Sequence, residues 1–139
     1  MKNRAFIYIA WIQSIVAVVT SLYYSEVAGL TPCLLCWYQR IVMYPLVIIM
    51  AVGLWRRDQH LPYYVLPFGI IGAITALYHY LLQVGVISES LAPCVAGVSC
   101  ATKEVQYFGF VTIPFLSLLA FVLISVCMII IIRKGDKNE

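Results

Sequence analysis

The chain has 139 residues, of which 63% are hydrophobic and only 11% are charged. Soluble globular proteins are about half apolar and about a quarter charged, so the composition excludes that class and indicates an integral membrane protein. The length allows one domain with a few spans, and the net charge of +3 is too modest to indicate a nucleic-acid partner.

The first apolar segment covers residues 5–24, which are uncharged and about as many as a helix needs to cross the hydrocarbon core. A cleaved signal peptide is the alternative, but the segment is longer than a usual signal core and no small-residue cleavage site follows it. Small and polar residues at helical spacing predict the face turned toward other helices: Ala10, Gln13, Ala17 and Thr20, with Ser14 and Ser21 beside them.

A short loop, residues 25–35, leads to a Cys-x-x-Cys motif. Cys33 and Cys36 are spaced to close a small disulfide, and a helix that starts near Cys36 places Arg40 one turn further on the same face. The helix N-terminus and the guanidinium would both stabilise a thiolate at Cys36. The motif predicts a redox site at the membrane edge; two inert structural thiols are the alternative.

The second span is predicted at residues 36–55. Arg40 then lies about one helical turn below the membrane surface, because a turn rises about 5.4 Å. A lone arginine at that depth either extends to the lipid headgroups or holds a polar ligand at the edge of the bundle.

The third span is predicted at residues 63–87. Small residues four apart predict close packing on a neighbouring helix: Gly69 with Ala73, and Gly72 with Ala76. His79 shares that face, and an ionisable group on the packed face of a span favours a functional role. A metal site is not predicted, because His60, the other histidine, falls at the opposite end of this span.

The longest loop, residues 88–109, contains Cys94 and Cys100, which enclose five residues. The fourth span is predicted at residues 110–132, with Pro114 near its start, where proline is tolerated. Its inner face is predicted to hold Ser117, Ala120, Ile124 and Cys127. The last of these is expected to be a small buried hydrophobe.

Charge predicts the orientation. Seven of the nine basic residues fall at the two termini and in the second loop: Lys2, Arg4, Arg56, Arg57, Arg133, Lys134 and Lys137. The positive-inside rule therefore predicts cytoplasmic termini, with the first and third loops outside. Those loops carry four of the five cysteines, in a compartment where disulfides persist.

Two cysteine pairs on one outer face form either structural disulfides or an electron relay. Four cysteines allow three connectivities, and proximity favours Cys33–Cys36 and Cys94–Cys100. In a relay, thiol–disulfide exchange passes electrons from the loop pair to the Cys-x-x-Cys pair, and a membrane acceptor must remove them. Arg40 and a bundle-facing histidine could polarise a carbonyl-bearing, lipid-soluble acceptor.

These features resemble the DsbB family of membrane thiol:quinone oxidoreductases, most closely its BdbC branch. The resemblance rests on Cys-Leu-Leu-Cys-Trp-Tyr-Gln-Arg at residues 33–40, the paired loop cysteines and Phe-Gly-Phe-Val-Thr-Ile-Pro at residues 108–114. It covers essentially the whole chain. It implies a single-domain four-helix bundle in a bacterial cell membrane that reoxidises a thioredoxin-fold, DsbA-like oxidase and reduces menaquinone or ubiquinone.

The resemblance also implies roles for individual residues. Cys94 would be attacked by the partner's thiolate to form the mixed disulfide, Cys100 would be its resolving mate and could exchange with Cys33, and Cys36 would face the quinone. Two further residues would serve quinone binding: Arg40 and His79.

The chain departs from the Gram-negative prototype of the family at two places. The third loop is much shorter, and Gln39 stands where the prototype has a glutamate, so no acidic role transfers to that position.

Two alternatives remain open. A reductive enzyme similar to vitamin K epoxide reductase would use a similar bundle, but its cysteine pairs occur in the reverse order. A non-enzymatic scaffold would use both pairs as structural disulfides.

Overall fold

A computed structural model of the chain describes residues 2–27, 29, 34–86, 106–107 and 111–137. The described part contains four long helices: α1 (Lys2–Leu22), α2 (Leu34–Arg56), α3 (Leu61–Val84) and α4 (Ile113–Lys137). All four are long and apolar enough to cross a membrane. The predicted all-α, four-helix transmembrane bundle is confirmed.

Three short elements adjoin the helices. A π-helical turn, Tyr23–Val27, continues α1. Two-residue strands, β1 (Gln106–Tyr107) and β2 (Val111–Thr112), pair antiparallel immediately before α4. Helix α4 therefore begins at Ile113, later than the predicted position 110, because Val111 and Thr112 are extended; β-branched residues favour that conformation.

The four helices form a ring in chain order. Helix α3 packs most extensively on α4, α2 packs on α3, and α1 completes the ring by packing on both α4 and α2. The connection between α2 and α3 is tight: Arg57 adopts a left-handed conformation (φ 57°), and the amide of Asp58 donates to the carbonyl of Gly53 at 3.0 Å. This arrangement satisfies the last carbonyls of α2 and reverses the chain within a few residues.

The outer surface of the bundle is apolar. Several isoleucines on α2 and α3 are more than half exposed, among them Ile41, Ile48 and Ile74 at 64%, 67% and 63%. Such an extended apolar surface is suited to contact with lipid tails. The interior is also largely apolar, with Leu46, Met50 and Phe121 almost fully buried.

Glycines permit the close approach of α3 and α4. A Cβ at Gly69 would lie 2.6 Å from the Ser125 hydroxyl, and one at Gly72 would overlap the Phe121 ring. The close packing predicted from the small residues of α3 is confirmed. On α4, Ala120, Ile124 and Cys127 are buried, as predicted for its inner face, and Ser117 is partly buried.

The predicted inner face of α1 is rotated from the observed one. Ala10 is fully buried, but Thr20 is exposed and Ser14, predicted only to flank the stripe, is fully buried. The Ser14 hydroxyl donates to the carbonyl of Trp11 at 2.6 Å, so the helix itself satisfies this buried hydroxyl. The rotation matters for function because it also turns Ser21 toward α2.

Candidate functional site

One end of the bundle, here named the cysteine end, brings together the end of α1, the start of α2, the end of α3 and the start of α4. These four helix ends lie together because consecutive helices run antiparallel. Cys36 lies in the first turn of α2 and is partly buried. At the same end, the rings of Tyr80 on α3 and Phe115 on α4 are in contact, with centroids 5.5 Å apart.

Arg40 is anchored to α1. Its Nε donates to the Ser21 hydroxyl at 2.9 Å, and a terminal guanidinium nitrogen donates to the Ser21 carbonyl, also at 2.9 Å. The guanidinium also lies over the Trp37 ring, 5.2 Å from its centroid. Three contacts therefore hold a permanent positive charge beside α1, one helical turn from Cys36.

His79 is joined to α2 by a buried hydrogen bond. The side-chain nitrogen of Gln39 lies 3.0 Å from Nδ1 of His79. Both side chains are almost inaccessible, with Gln39 6% and His79 2% exposed. His79 therefore lies on the packed face of α3, as predicted, and its ring is fixed by a direct contact with the residue that precedes Arg40.

The adjacent residues Gln39 and Arg40 of α2 form hydrogen bonds to two different helices, α3 and α1. Successive residues of a helix point about 100° apart, since a turn contains about 3.6 residues. Because α2 lies between α1 and α3, this rotation sends Arg40 to Ser21 and Gln39 to His79. Helix α2 is thereby hydrogen-bonded through side chains to both of its neighbours within its first two turns.

Tyr44 extends the Cys36–Arg40 face by one more turn. Its hydroxyl is buried and has no hydrogen-bond partner in the described part of the chain. A buried hydroxyl without a partner is unfavourable by about 1–3 kcal/mol, so the Tyr44 hydroxyl is a candidate donor to a bound ligand.

The remaining predicted site residues are Cys33, Cys94 and Cys100, and they lie outside the described residues. Their roles stay predictions. The fifth cysteine, Cys127, is buried on α4, about 20 Å along that helix from its start at the cysteine end.

The structure adds three residues that the sequence did not single out for the site: Ser21, Gln39 and Tyr44. Ser21 appeared only as a small polar residue beside a packing stripe. At position 39, the sequence indicated only the absence of an acidic group. For Tyr44, the helical spacing of residues 36, 40 and 44 was the available signal.

Comparison with known proteins agrees with this architecture. The family described as disulfide bond formation protein DsbB matches residues 3–131. Disulfide bond formation protein C of Bacillus subtilis is 46% identical over the whole length of both chains. A probable disulfide formation protein C of Halalkalibacterium halodurans is also 46% identical, over 90% of this chain and 91% of its own. A probable disulfide formation protein of Metapseudomonas resinovorans is 39% identical over 91% of this chain and 88% of its own.

No solved structure matches the chain at a significant level. The family match nevertheless spans all four helices, including the first turns of α2 where Cys36, Gln39 and Arg40 lie. A multi-pass bundle with an anchored arginine beside a Cys-x-x-Cys helix is consistent with the oxidoreductase activity of these disulfide formation proteins. The chain belongs to the DsbB family of disulfide-forming membrane oxidoreductases.

Proposed function

We propose that this protein oxidises an extracytoplasmic, DsbA-like dithiol protein and passes the electrons to a membrane quinone. The observation that carries the proposal is the anchored Arg40, held by Ser21 one turn from Cys36. An arginine that only extended to the headgroups would not need two hydrogen bonds to a neighbouring helix. A fixed guanidinium instead presents a stable positive charge beside a thiolate and an acceptor oxygen.

The thiol steps are disulfide exchanges. The partner's thiolate attacks Cys94 of the Cys94–Cys100 disulfide, and the partner's second thiol then releases it, so that the partner gains a disulfide and the loop pair is reduced. The reduced pair next exchanges with Cys33–Cys36, which leaves Cys33 and Cys36 as thiols. Each exchange forms one S–S bond and breaks one, so two electrons pass from one cysteine pair to the next.

The last step restores the Cys33–Cys36 disulfide. A bound quinone supplies the capacity to accept two electrons and two protons, which balances the conversion of two thiols to a disulfide. Arg40 stabilises the Cys36 thiolate and any negative charge on the acceptor's oxygen. Its charge persists at every physiological pH, since a guanidinium does not deprotonate in proteins.

The donor set at the cysteine end fits a quinone. Quinone carbonyls only accept hydrogen bonds, and the face of α2 that starts at Cys36 offers donors: the guanidinium of Arg40 and the buried hydroxyl of Tyr44. His79 supplies a further ring nitrogen at the same end. Ubiquinone and menaquinone share the two carbonyls that these groups would recognise, so both are tested below.

We place the protein in the bacterial cell membrane with the cysteine end outside. The support is the charge distribution, since most basic residues fall at the opposite end of the bundle, and the redox state of that compartment, which allows disulfides to persist. The partner oxidase would then approach from the extracytoplasmic side.

The experiment is quinone reduction by the purified full-length protein in lipid nanodiscs, fed with a reduced DsbA-like dithiol. Wild type is compared with Cys36→Ser and Arg40→Ala, using ubiquinone and menaquinone analogues. We expect no turnover in Cys36→Ser. In Arg40→Ala we expect the quinone KM to rise about 10- to 100-fold, as for the loss of a hydrogen bond to a charged group.

Cys127→Ala is the matched control, because it removes the cysteine that is buried on α4 away from the cysteine end. It should leave turnover unchanged. If wild type fails to reduce either quinone, the enzyme proposal is wrong, and the outer cysteines are structural staples.

A further inference from the structure

The buried contact between Gln39 and His79 constrains where the imidazole carries its proton. The atom of Gln39 that faces His79 is the amide nitrogen, at 3.0 Å from Nδ1. An amide NH₂ group only donates hydrogen bonds, so Nδ1 must present its lone pair. A neutral imidazole has one proton, and with Nδ1 accepting, that proton resides on Nε2.

We propose that Gln39 is a positioning residue that holds His79 as the neutral tautomer protonated on Nε2. His79 then serves the electron acceptor as a hydrogen-bond donor, not as a base. This inference rests on the proposed function for the identity of the acceptor, but the tautomer itself is a property of the protein alone.

Burial strengthens the constraint. Both side chains are removed from water, so neither can exchange this contact for a hydrogen bond to water. The contact thus selects one of the two neutral tautomers of His79.

An amide and a carboxylate at position 39 would place the proton of the neutral His79 ring on different nitrogens. A glutamate is nearly isosteric with glutamine, but an ionised carboxylate only accepts, so it would require the proton on Nδ1. In Gln39→Glu, the neutral ring would then present a lone pair at Nε2. The two side chains fill the same volume and select different hydrogen-bonding roles for His79.

The donor role suits the reaction. Reduction of a quinone builds negative charge on its oxygens, and a preorganised N–H donor stabilises such charge. Arg40 and a donating His79 would both favour the reduced acceptor, whereas an accepting His79 would repel the same oxygen. Gln39 therefore determines whether His79 stabilises or repels the negative charge on the acceptor's oxygen.

The tautomer is measured by ¹⁵N NMR of the full-length, quinone-depleted protein in nanodiscs. The chain has two histidines, so His60→Asn leaves His79 as the single source of histidine signals. Asparagine is a favourable residue at this position, since His60 precedes the first turn of α3. We expect the signal of an unprotonated nitrogen at Nδ1 and of a protonated one at Nε2.

The same spectrum of Gln39→Glu should show Nδ1 protonated. A wild-type spectrum with the proton on Nδ1, or a Gln39→Glu spectrum identical to the wild type, overturns the inference. Neither result depends on turnover, so failure of the tautomer assignment is distinguishable from failure of the proposed quinone chemistry.

Turnover gives the functional readout. Gln39→Glu and Gln39→Leu should each lower kcat/KM for quinone about tenfold, the equivalent of one hydrogen bond of ordinary strength. Thiol exchange with the partner, followed as mixed-disulfide formation at the loop cysteines, should be unchanged. Gln59→Leu, in the exposed turn at the opposite end, is the matched control and should behave as wild type.

If both Gln39 variants keep wild-type kcat/KM for quinone, Gln39 has only a structural role and the inference is wrong. If Gln39→Leu fails to fold, the Gln39→Glu comparison still decides, since that substitution keeps the shape and the contact with His79.

Discussion

Single side chains decide how the charge at the cysteine end is presented. Arg40 donates two of its N–H groups to Ser21, one to the hydroxyl and one to the main-chain carbonyl. The guanidinium carries five N–H hydrogens in a rigid plane, so fixing two of them fixes the direction of the rest. Ser21 is therefore expected to act on the acceptor through Arg40.

Ser21→Ala tests this role. The substitution removes the hydroxyl that accepts from Nε and leaves the carbonyl contact intact, so Arg40 keeps its charge but loses orientation. We expect the quinone KM to rise about fivefold, corresponding to about 1 kcal/mol for one hydrogen bond. Steady-state kinetics in nanodiscs, with quinone varied, would measure it.

Ser25→Ala is the control, because Ser25 lies one turn further along the chain and its hydroxyl donates to the local carbonyl of Leu22, at 3.4 Å. An equal rise in KM for both variants would show that the effect belongs to the end of α1 and not to the Arg40 anchor.

At the scale of elements, the α3–α4 interface determines the position of the α3 face that carries His79. Gly69 and Gly72 let the backbone of α3 approach Ser125 and Phe121 of α4. His79 follows Gly72 by about two turns on the same helix, so its position at the cysteine end depends on this contact.

Gly72→Ala is expected to destabilise the bundle. The added Cβ overlaps the Phe121 ring, and overpacking of this kind typically costs about 1–3 kcal/mol. Unfolding in mixed detergent–denaturant micelles would measure the loss. Phe121→Leu should recover part of the stability in the double variant, because it removes the ring atoms that collide with the new methyl group.

Gly135→Ala is the paired control, since a Cβ there meets nothing within 4 Å and the residue lies near the end of α4. It should be neutral or slightly stabilising, as alanine is the better helix former. A Gly72→Ala protein as stable as wild type would mean that α3 and α4 do not rely on this close approach.

At the scale of the whole molecule, the orientation of the bundle decides which compartment supplies the substrate. The cysteine end holds Arg40, whereas the start of α1, the end of α4 and the Arg56–Arg57 pair lie at the other end. The positive-inside rule therefore predicts that the cysteine end faces away from the cytoplasm.

Reporter fusions test the orientation in cells. A fluorescent protein that matures only in the cytoplasm, fused after Glu139, should fluoresce, and alkaline phosphatase fused after Val86 should be active. Phosphatase fused after Arg57 is the control and should be inactive. The reverse pattern would place the cysteines in the reducing compartment and contradict an extracytoplasmic partner.

Much of the architecture followed from composition and spacing. The four spans are predictable because hydrocarbon thickness sets the length of an apolar helix, and the burial of His79, Gly69 and Gly72 follows from helical periodicity. Helix ends were less predictable. The left-handed conformation of Gly85 ends α3 at Val84, before the predicted position 87, and a backbone turn of this kind depends on the local chain path.

The sequence alone therefore determined a four-helix membrane bundle of the DsbB family, since hydrophobicity, charge distribution and the Cys-x-x-Cys motif are local properties of the chain. Only the tertiary structure decided that Ser21 anchors Arg40 and that Gln39 forms a hydrogen bond with His79. Those contacts join residues 19 and 40 positions apart. The rotation of each helix about its own axis selects them, and that rotation results from the packing of all four helices together.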